Sequence, residues 1–235
     1  MQTQNREISK QVTPPKLGQQ TINLLNELCF LPDSPIQKVD LIFVFGVMQF
    51  DLAAKAAKEL LIKNTSKKVI VSGGTPQFSD HSLLSYTKPE SEEILQRIDP
   101  KNFPLVIFET ESVANNTVEN VRLSLNKFPY LSEVKKIFYL CHSHGSRRCY
   151  LSLRKFLPKT KLLLKSFPRK LSNNLSVVSR EKWFLSGEGT ERVWAEFLRI
   201  KKYGERGDIV YNSETKGTTG CVFLMPQNTP SPQLP

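Results

Sequence analysis

Five short apolar runs alternate along the chain with segments whose apolar residues recur at helical spacing. The run from Leu41 to Phe45 is entirely apolar, which is typical of a strand covered on both faces. The segment after it places Ala53, Ala56 and Leu60 on one helical face. The apolar runs predict strands at 39–46, 68–74, 105–109, 136–141 and 162–167, the second of which ends in a glycine turn.

Helices are predicted before, between and after these strands, at about 22–28, 50–63, 89–97, 116–128, 145–156 and 183–203. Such alternation predicts a three-layer α/β domain with a mostly parallel sheet of about five strands. Val193, Phe197 and Ile200 would dock the last helix on the core. We expect one domain, residues 21–210, between a disordered N-terminal segment at 1–20 and a disordered tail at 211–235.

The apolar runs and the cysteines indicate the cellular compartment of the protein. No run approaches the ~18 apolar residues of a membrane span, and the polar N-terminus does not resemble a secretory signal. The four cysteines have neither metal-site spacing nor the density of a disulfide scaffold. We therefore expect reduced thiols and a soluble, cytoplasmic protein. The cysteines are Cys29, Cys141, Cys149 and Cys221.

The net charge of +11 is concentrated in one stretch of the chain. Residues 147–182 contain eleven Lys or Arg and a single acid, Glu181. A basic surface attracts anions, which include phosphorylated metabolites, nucleic acids and anionic membranes. The alternative is a solvated basic face without a partner. The stretch lacks interleaved aromatic residues, so nucleic acid is the second choice.

Polar clusters and glycines follow four of the predicted strands. Gly46 follows the first strand, Gly73 and Gly74 the second, residues 111–120 the third and residues 142–148 the fourth. Ligands of open parallel sheets bind at the carboxyl ends of the strands, so we expect these turns to build one pocket. Glycine there allows backbone N–H groups to approach an anion, although a tight turn without a ligand is the competing interpretation.

Two of these clusters suggest specific roles. Asn116 and Glu119 fit a helix cap, but the neighbouring Thr117 and Asn120 favour a pocket lining over capping alone. A second cluster places Arg147 and Arg148 in the first turn of a helix, where the helix dipole opposes a cation and a bound anion would compensate. One of the two arginines is therefore expected to clamp the ligand, the alternative being solvated side chains with distant carboxylate partners.

Other chemistry has weaker support in the sequence. His142 and His144 would point the same way in an extended segment, which suits a metal or acid–base chemistry. The only other histidine is His81, in a long loop, so no metal is expected. Cys141 and Ser143 are candidate nucleophiles without a GxSxG elbow around them. Neither GxGxxG nor GxxxxGK[ST] occurs, which disfavours the usual NAD and P-loop sites.

The order of these motifs resembles the YdcF/SanA/ElyC family of bacterial α/β proteins across residues 36–210. The most specific part is Asn116-Thr117-x-Glu119-Asn120 together with its distance from Ser72-Gly73-Gly74. Further matching positions are Asp40, Gly46, Ala53 to Ala57, Ser91, Glu92, Glu111, Ala114, Arg147 and Arg148. The segment Glu196-x-x-Arg199-Ile200-x-x-Tyr203-x-x-x-Gly207 resembles the soluble YdcF branch, which lacks the membrane anchor of the SanA and ElyC branches. Lys55, His142-Ser143-His144 and the loop at 75–89 depart from the family pattern.

The resemblance implies a Rossmann-like fold and binding of S-adenosylmethionine or a similar nucleotide, with a link to envelope or peptidoglycan metabolism in the anchored branches. Our leading hypothesis is a nucleotide-type small-molecule binder, with catalysis left open. Backbone donors would come from the glycines, an anion clamp from an arginine, and hydrogen bonds to ribose or base from Glu92 and the 116–120 cluster. The candidate ligand-binding residues are Gly46, Asp51, Ser72, Gly73, Gly74, Glu92, Asn116, Thr117, Glu119, Asn120, His142, Arg147 and Arg148.

Two alternatives belong to other classes. The first is a non-catalytic protein whose basic segment binds nucleic acid or an anionic membrane surface, with an affinity that falls steeply with salt. The second is an enzyme acting on an anionic envelope or peptidoglycan precursor, with Glu92 or Glu119 as the general base.

Overall fold

The computed structural model describes residues 8–9, 12–75, 87–172 and 176–210. The tail expected to be disordered, together with His81 and Cys221, lies outside these residues. Most of the long loop at 75–89 and part of the N-terminal segment at 1–20 lie outside them as well. Among the helices that the structure describes, none is long and apolar enough to cross a lipid bilayer.

A single sheet of five parallel strands forms the centre of the domain, in the order β3-β2-β1-β4-β5. Its register places Val44 beside Val71 on one side and beside Leu140 on the other. The expected three-layer α/β, Rossmann-like fold is thereby confirmed. The strands are β1 Leu41–Phe45, β2 Lys68–Ser72, β3 Ile107–Glu111, β4 Lys136–His142 and β5 Lys161–Phe167.

The described residues form six α-helices: α1 Gln19–Cys29, α2 Phe50–Ile62, α3 Glu90–Ile98, α4 Thr117–Lys127, α5 Ser146–Phe156 and α6 Gly187–Glu205. Beyond β5, the short strands β6 Arg169–Lys170 and β7 Val177–Val178 form an antiparallel pair that the sequence analysis did not predict. The pair lies just past the carboxyl end of the sheet, and it carries Arg169 to that edge.

Alternation along β1 assigns the helices to two layers. Ile42 and Val44 join the apolar cluster that contains α2 and α3, whereas Leu41, Phe43 and Phe45 join the cluster that contains residues of α4 and α5. Successive side chains of a strand point to opposite faces, so the unbroken apolar run is explained by helices on both sides.

Helix α6 is held by a third apolar cluster. Val193, Phe197 and Ile200 are buried there, as expected, but their neighbours include α1 and Leu151 of α5 rather than strands of the five-stranded sheet. The indole Nε1 of Trp183 anchors the approach to α6 by donating to Asn26 Oδ1 at 2.7 Å. This indirect docking leaves the polar face of α6 beside the carboxyl edge of the sheet.

Strand β3 begins two residues later than its apolar run predicted. Leu105 is 79% exposed and lies outside the strand, and Ile107 within it is 58% exposed. Because β3 pairs only with β2 and forms an edge of the sheet, its apolar residues are not all buried. The pattern therefore marked the strand but misplaced its limits.

Candidate functional site

The strand order creates a crevice between the carboxyl ends of β1 and β4. From β1 the chain adds β2 and β3 on one side, and it then returns to place β4 on the other side of β1. The helices that follow β1 and β4 pack on opposite faces, which opens a gap at this switch point. Gly46 follows β1 directly, and His142 is the last residue of β4.

A cleft of about 600 Å³ lies at this edge of the sheet. The loop after β1, the first turns of α3 and α4, the end of β4, and helices α5 and α6 all contribute to its wall. It unites seven of the thirteen candidates, which are Gly46, Asn116, Thr117, Glu119, Asn120, His142 and Arg148. The expected convergence of distant turns on one hollow is thus present.

The first turn of α4 serves the helix and the cleft at once. Asn116 Oδ1 accepts hydrogen bonds from the backbone N–H groups of Val118 and Glu119 at 3.1 and 2.9 Å. Glu119 Oε2 accepts one from Asn115 N at 2.8 Å. The caps fix these side chains at the cleft wall, so capping and pocket lining are not alternatives here.

Arg148 is directed into the cleft but is already bonded. Its Nε and Nη2 atoms donate to the two carboxylate oxygens of Glu196 at 2.6 and 3.1 Å, and Nη1 donates to Thr117 Oγ1. Burial alone would lower the pKa of Arg148, but the adjacent carboxylate more than compensates and raises it. Arg148 therefore stays charged and joins α5 to α4 and α6.

Arg147 does not line the cleft, so this candidate was wrong as a clamp. Its Nε and Nη2 atoms donate to the backbone carbonyls of Leu28 and Glu27 at 3.3 and 3.1 Å. These carbonyls belong to the last turn of α1, where no intrahelical donor remains. The side chain leaves α5 about 100° away from that of Arg148, and it caps α1.

Asp51 and Glu92 also lie away from the cleft. Asp51 is exposed on α2 and forms an ion pair of 3.0 Å with Arg97, and Glu92 is exposed on α3. The carboxylate that reaches the cleft from α3 is Glu90, whose Oε2 atom lies where a side chain on Gly46 would be. Glu90 lies two residues before the predicted Glu92 in the first turn of the same helix.

Ser72, Gly73 and Gly74 support the site without lining it. Ser72 Oγ donates to Glu111 Oε2 at 2.6 Å, and Gly73 N donates to Glu111 O at 2.9 Å. Gly74 N donates to Ala114 O at 2.8 Å. These N–H groups are paired within the fold, which corrects the expectation that they bind an anion. Gly73 is required by close packing, since a Cβ there would lie 2.8 Å from Gly46 Cα.

His142 and His144 stack on each other in the cleft, with ring centroids 5.6 Å apart. His142 is 8% exposed. Within the described ranges, His142 has only a weak interaction with the backbone of Phe167; neither of its ring nitrogens has a partner at full hydrogen-bond geometry, and the buried Nδ1 atom of His144 has none either. The buried Nε atom of Arg169 is likewise unpartnered. These four atoms are the main concentration of buried, unpartnered polar atoms in the described structure.

The cleft is rich in guanidinium groups. Six arginines line it against four carboxylates, so its wall carries an excess of positive charge. The arginines are Arg122, Arg148, Arg169, Arg192, Arg199 and Arg206, and the carboxylates are Glu90, Glu119, Glu196 and Asp208. Burial, reinforced by the charge of Arg192, lowers the pKa of Arg169 to about 10. A bound anion would stabilise the charged form of a guanidinium that is buried beside another cation.

Sequence analysis did not select His144, Arg169, Arg192 or Glu196 as site residues. Arg169 belongs to the basic segment, and Glu196 and Arg199 belong to the late motif of the resemblance, so partial signals existed. Arg192 carried no signal of its own. It pairs with Glu188 through contacts of 2.9 and 2.7 Å on one face of α6, which is a common arrangement on any helix.

Both histidines are neutral at physiological pH. Burial is the main reason that the pKa of His142 and the pKa of His144 lie well below their usual range. The guanidiniums of Arg169 and Arg192 add to the effect. Each imidazole therefore presents one N–H donor and one acceptor nitrogen to the cleft.

The free energy of unfolding should fall as the pH drops below about 6.5. In this range the histidines of the unfolded chain become protonated, whereas the buried histidines of the folded protein stay neutral. The sign follows from the lowered folded pKa, which makes the unfolded state bind more protons in this range. Each histidine contributes up to about 1.4 kcal/mol per pH unit. Urea denaturation at pH 7, 6 and 5 measures this, and His142→Phe should reduce the slope. Equal stability at pH 7 and pH 5 would contradict the assignment.

Several cations of the basic segment are bonded within the domain. Arg154 donates to the carbonyls of Pro158 and Thr160 at 2.6 and 3.1 Å, and Arg180 donates to Phe30 O at 3.2 Å. With Arg147 and Arg148, these groups satisfy local carbonyls and carboxylates. Fewer side chains of the segment are therefore available to bind a polyanion than its net charge suggests.

Among the described residues, no three His, Cys, Asp or Glu side chains form a group that could hold a metal ion. No protein-family model and no curated protein matches the chain.

Proposed function

We propose that the protein binds an anionic, nucleotide-type small molecule that carries phosphate, in the cleft between β1 and β4. One observation carries the proposal. Five buried side-chain nitrogen or oxygen atoms lack a hydrogen-bond partner in the described part of the chain, and four of them belong to His142, His144 and Arg169. All three residues line the cleft.

Such a concentration has a thermodynamic meaning. A buried polar atom without a partner costs about 1–3 kcal/mol, and native structures contain few of them. Placing four in one cleft is unfavourable unless a ligand completes their hydrogen bonds. Guanidinium and imidazole N–H groups call for acceptor oxygens, and phosphate supplies several at high negative charge. The acceptor nitrogen of neutral His142 calls instead for a donor, such as a hydroxyl group of the ligand.

Another part of the cleft wall suits the organic part of a nucleotide. Asn116, Glu119 and Asn120 line it from α4, and Glu90 lines it from α3. Amides and carboxylates recognise hydroxyl and base edges through hydrogen bonds. The volume of about 600 Å³ lies within the usual range for small-molecule sites.

S-adenosylmethionine, which the resemblance implies, fits the charge of the cleft less well. Its sulfonium and ammonium groups are cations, which the six arginines in the wall would repel. The same arginines would attract its carboxylate. We therefore favour phosphate over sulfonium as the group that the arginine-rich end binds. The proposal concerns binding and assigns no reaction.

The same motifs support membership in the YdcF-like branch as a further part of the proposal. The Asn116–Asn120 motif and the late Glu196 and Arg199 are far apart in sequence, yet all line one cleft. A motif that converges in this way behaves as a binding site. The proposal includes a cytoplasmic location, which the cysteine spacing favours.

Isothermal titration calorimetry with ADP, adenosine and S-adenosylmethionine tests the function. We expect ADP to bind at least about 10-fold more tightly than adenosine, since a charged hydrogen bond contributes about 1.5–3 kcal/mol. ADP should also bind more tightly than S-adenosylmethionine. The reverse order would contradict the phosphate assignment.

A salt series separates this proposal from the nucleic-acid alternative. Affinity for a DNA duplex that contacts several phosphates falls by orders of magnitude between 50 and 200 mM salt, whereas ADP in a pocket should lose much less. Binding of duplex DNA with a steep salt slope, without binding of any of the three small molecules, would overturn the proposal.

A further inference from the structure

One end of the cleft has the features of a dedicated anion subsite. We name it the histidine–arginine subsite and define it as His142, His144, Arg169 and Arg192. Its components lie at the carboxyl end of β4, on β6 and on α6, and all four line the cleft. The three residues with unpartnered buried atoms belong to it.

The charge around this subsite is not balanced. Four guanidiniums act on His144, those of Arg148, Arg169, Arg192 and Arg199. Two carboxylates contact these guanidiniums, with Glu196 bonded to Arg148 and Arg199 and Glu188 bonded to Arg192. Within the described ranges, the guanidiniums around the two neutral imidazoles outnumber the carboxylates that contact them, so this part of the wall carries an excess of positive charge.

The carboxylates also show which donor is left for a ligand. Arg148 and Arg199 share Glu196, and Arg192 holds Glu188. Arg169 differs from them, because within the described ranges its buried Nε has no partner. The His142 and His144 rings, stacked beside it, add N–H groups.

We propose that the histidine–arginine subsite binds the terminal phosphate of a phosphomonoester in its dianionic form. The inference rests on the proposed function and adds the class of ligand. A phosphomonoester carries about −1.5 to −2 charges at pH 7 and three terminal oxygens, which suits the excess of positive charge among the described residues and the three residues with unpartnered polar atoms. A phosphodiester offers only one negative charge and two terminal oxygens, so it fills the subsite incompletely.

The subsite also sets the direction of the ligand. The phosphate lies at the β4 side of the cleft, and the organic part extends past Gly46 toward the first turn of α4, where Asn116 and Asn120 line the wall. A nucleoside monophosphate or a nucleotide with a terminal phosphate meets both ends. A free nucleoside meets only one.

The wild-type protein provides the first test, which requires no variant. Calorimetry at pH 7.5 is expected to show AMP binding at least about 10-fold more tightly than 3′,5′-cyclic AMP, since the two share the adenosine group and differ in a terminal dianion. Equal affinities would overturn the subsite while leaving a nucleotide-binding cleft. Absence of binding by AMP, cyclic AMP and ADP would instead count against the proposed function.

A matched pair of variants provides the second test. Arg169→Gln is expected to weaken AMP binding about 10- to 100-fold and to leave cyclic AMP nearly unchanged. Arg180→Gln removes the same charge from an exposed position of the basic segment that does not line the cleft and should change AMP affinity by less than about 3-fold, because an exposed charge acts weakly through solvent. Equal losses in the two variants would contradict a specific role for Arg169.

Melting temperatures, measured with and without inorganic phosphate, provide the third test. Arg169→Gln should not lower the melting temperature of the ligand-free protein, because burial disfavours the charge that it removes, so a loss of AMP binding cannot be ascribed to unfolding. Inorganic phosphate should raise the melting temperature of the wild-type protein and of Arg180→Gln, but not that of Arg169→Gln. The same phosphate response in all three proteins would overturn the subsite.

Discussion

Replacing Glu196 with alanine should lower the free energy of unfolding by about 3–5 kcal/mol. Its carboxylate is 1% exposed and accepts from Arg148 at 2.6 and 3.1 Å and from Arg199 at 3.4 Å. Removing it leaves two guanidiniums at the wall of an already positive cleft. Urea denaturation followed by tryptophan fluorescence measures the change.

A double variant and an exposed pair serve as controls for this prediction. Replacing both partners, as in Arg148→Met with Glu196→Met, should recover much of the loss, because a buried ion pair contributes little beyond an apolar pair of similar size. Asp51→Asn breaks the ion pair with Arg97, in which the Asp51 side chain is 89% exposed, and should cost less than about 1 kcal/mol. A loss for Glu196→Ala no greater than that for Asp51→Asn would contradict our account of the site.

Glu111→Ala should lower the free energy of unfolding by about 3 kcal/mol or more, because three donors lose their acceptor. The Glu111 carboxylate is buried and accepts from Ser72 Oγ at 2.6 Å and from the N–H groups of Val113 and Ala114 at 2.6 and 3.0 Å. These bonds shape the turn that leads from β3 to the cap of α4. Thermal and urea denaturation give the size of the loss.

Glu119→Ala is the matched control for Glu111→Ala. Both glutamates accept from backbone N–H groups near the same turn, but Glu119 accepts a single, exposed bond from Asn115. Loss of a cap of this kind costs about 0.5–2 kcal/mol. Equal destabilisation by the two variants would show that the buried carboxylate is not the centre of the network.

The resemblance motif thus combines two physical roles. Glu111 and Ser72 hold the strand ends together below the cleft, while Asn116 and Glu119 fix the first turn of α4 at its wall. A residue pattern cannot distinguish a group that shapes a site from one that faces it, because both roles use the same side chains. Hydrogen-bond partners make the distinction, and only the tertiary structure shows them.

The sequence by itself determined the layers and the place of the cleft. Continuous apolar runs such as Leu41–Phe45 are buried on both faces, and the polar turns that follow parallel strands must meet at one edge. Both inferences depend on local patterns with a period of two residues or 3.6 residues. For that reason the convergence of Gly46 and Asn116 was predictable.

Only the tertiary structure decided which neighbouring side chains face the cleft. One step along a helix rotates the side chain by about 100°, so Arg148 enters the cleft while Arg147 caps α1, and Glu90 replaces Glu92. Arg169 and Arg192 reach the histidines from β6 and α6, across separations in sequence that no local period encodes. The fold is specified by patterns repeated along the chain, whereas the chemistry of the cleft depends on single orientations and on contacts between distant segments.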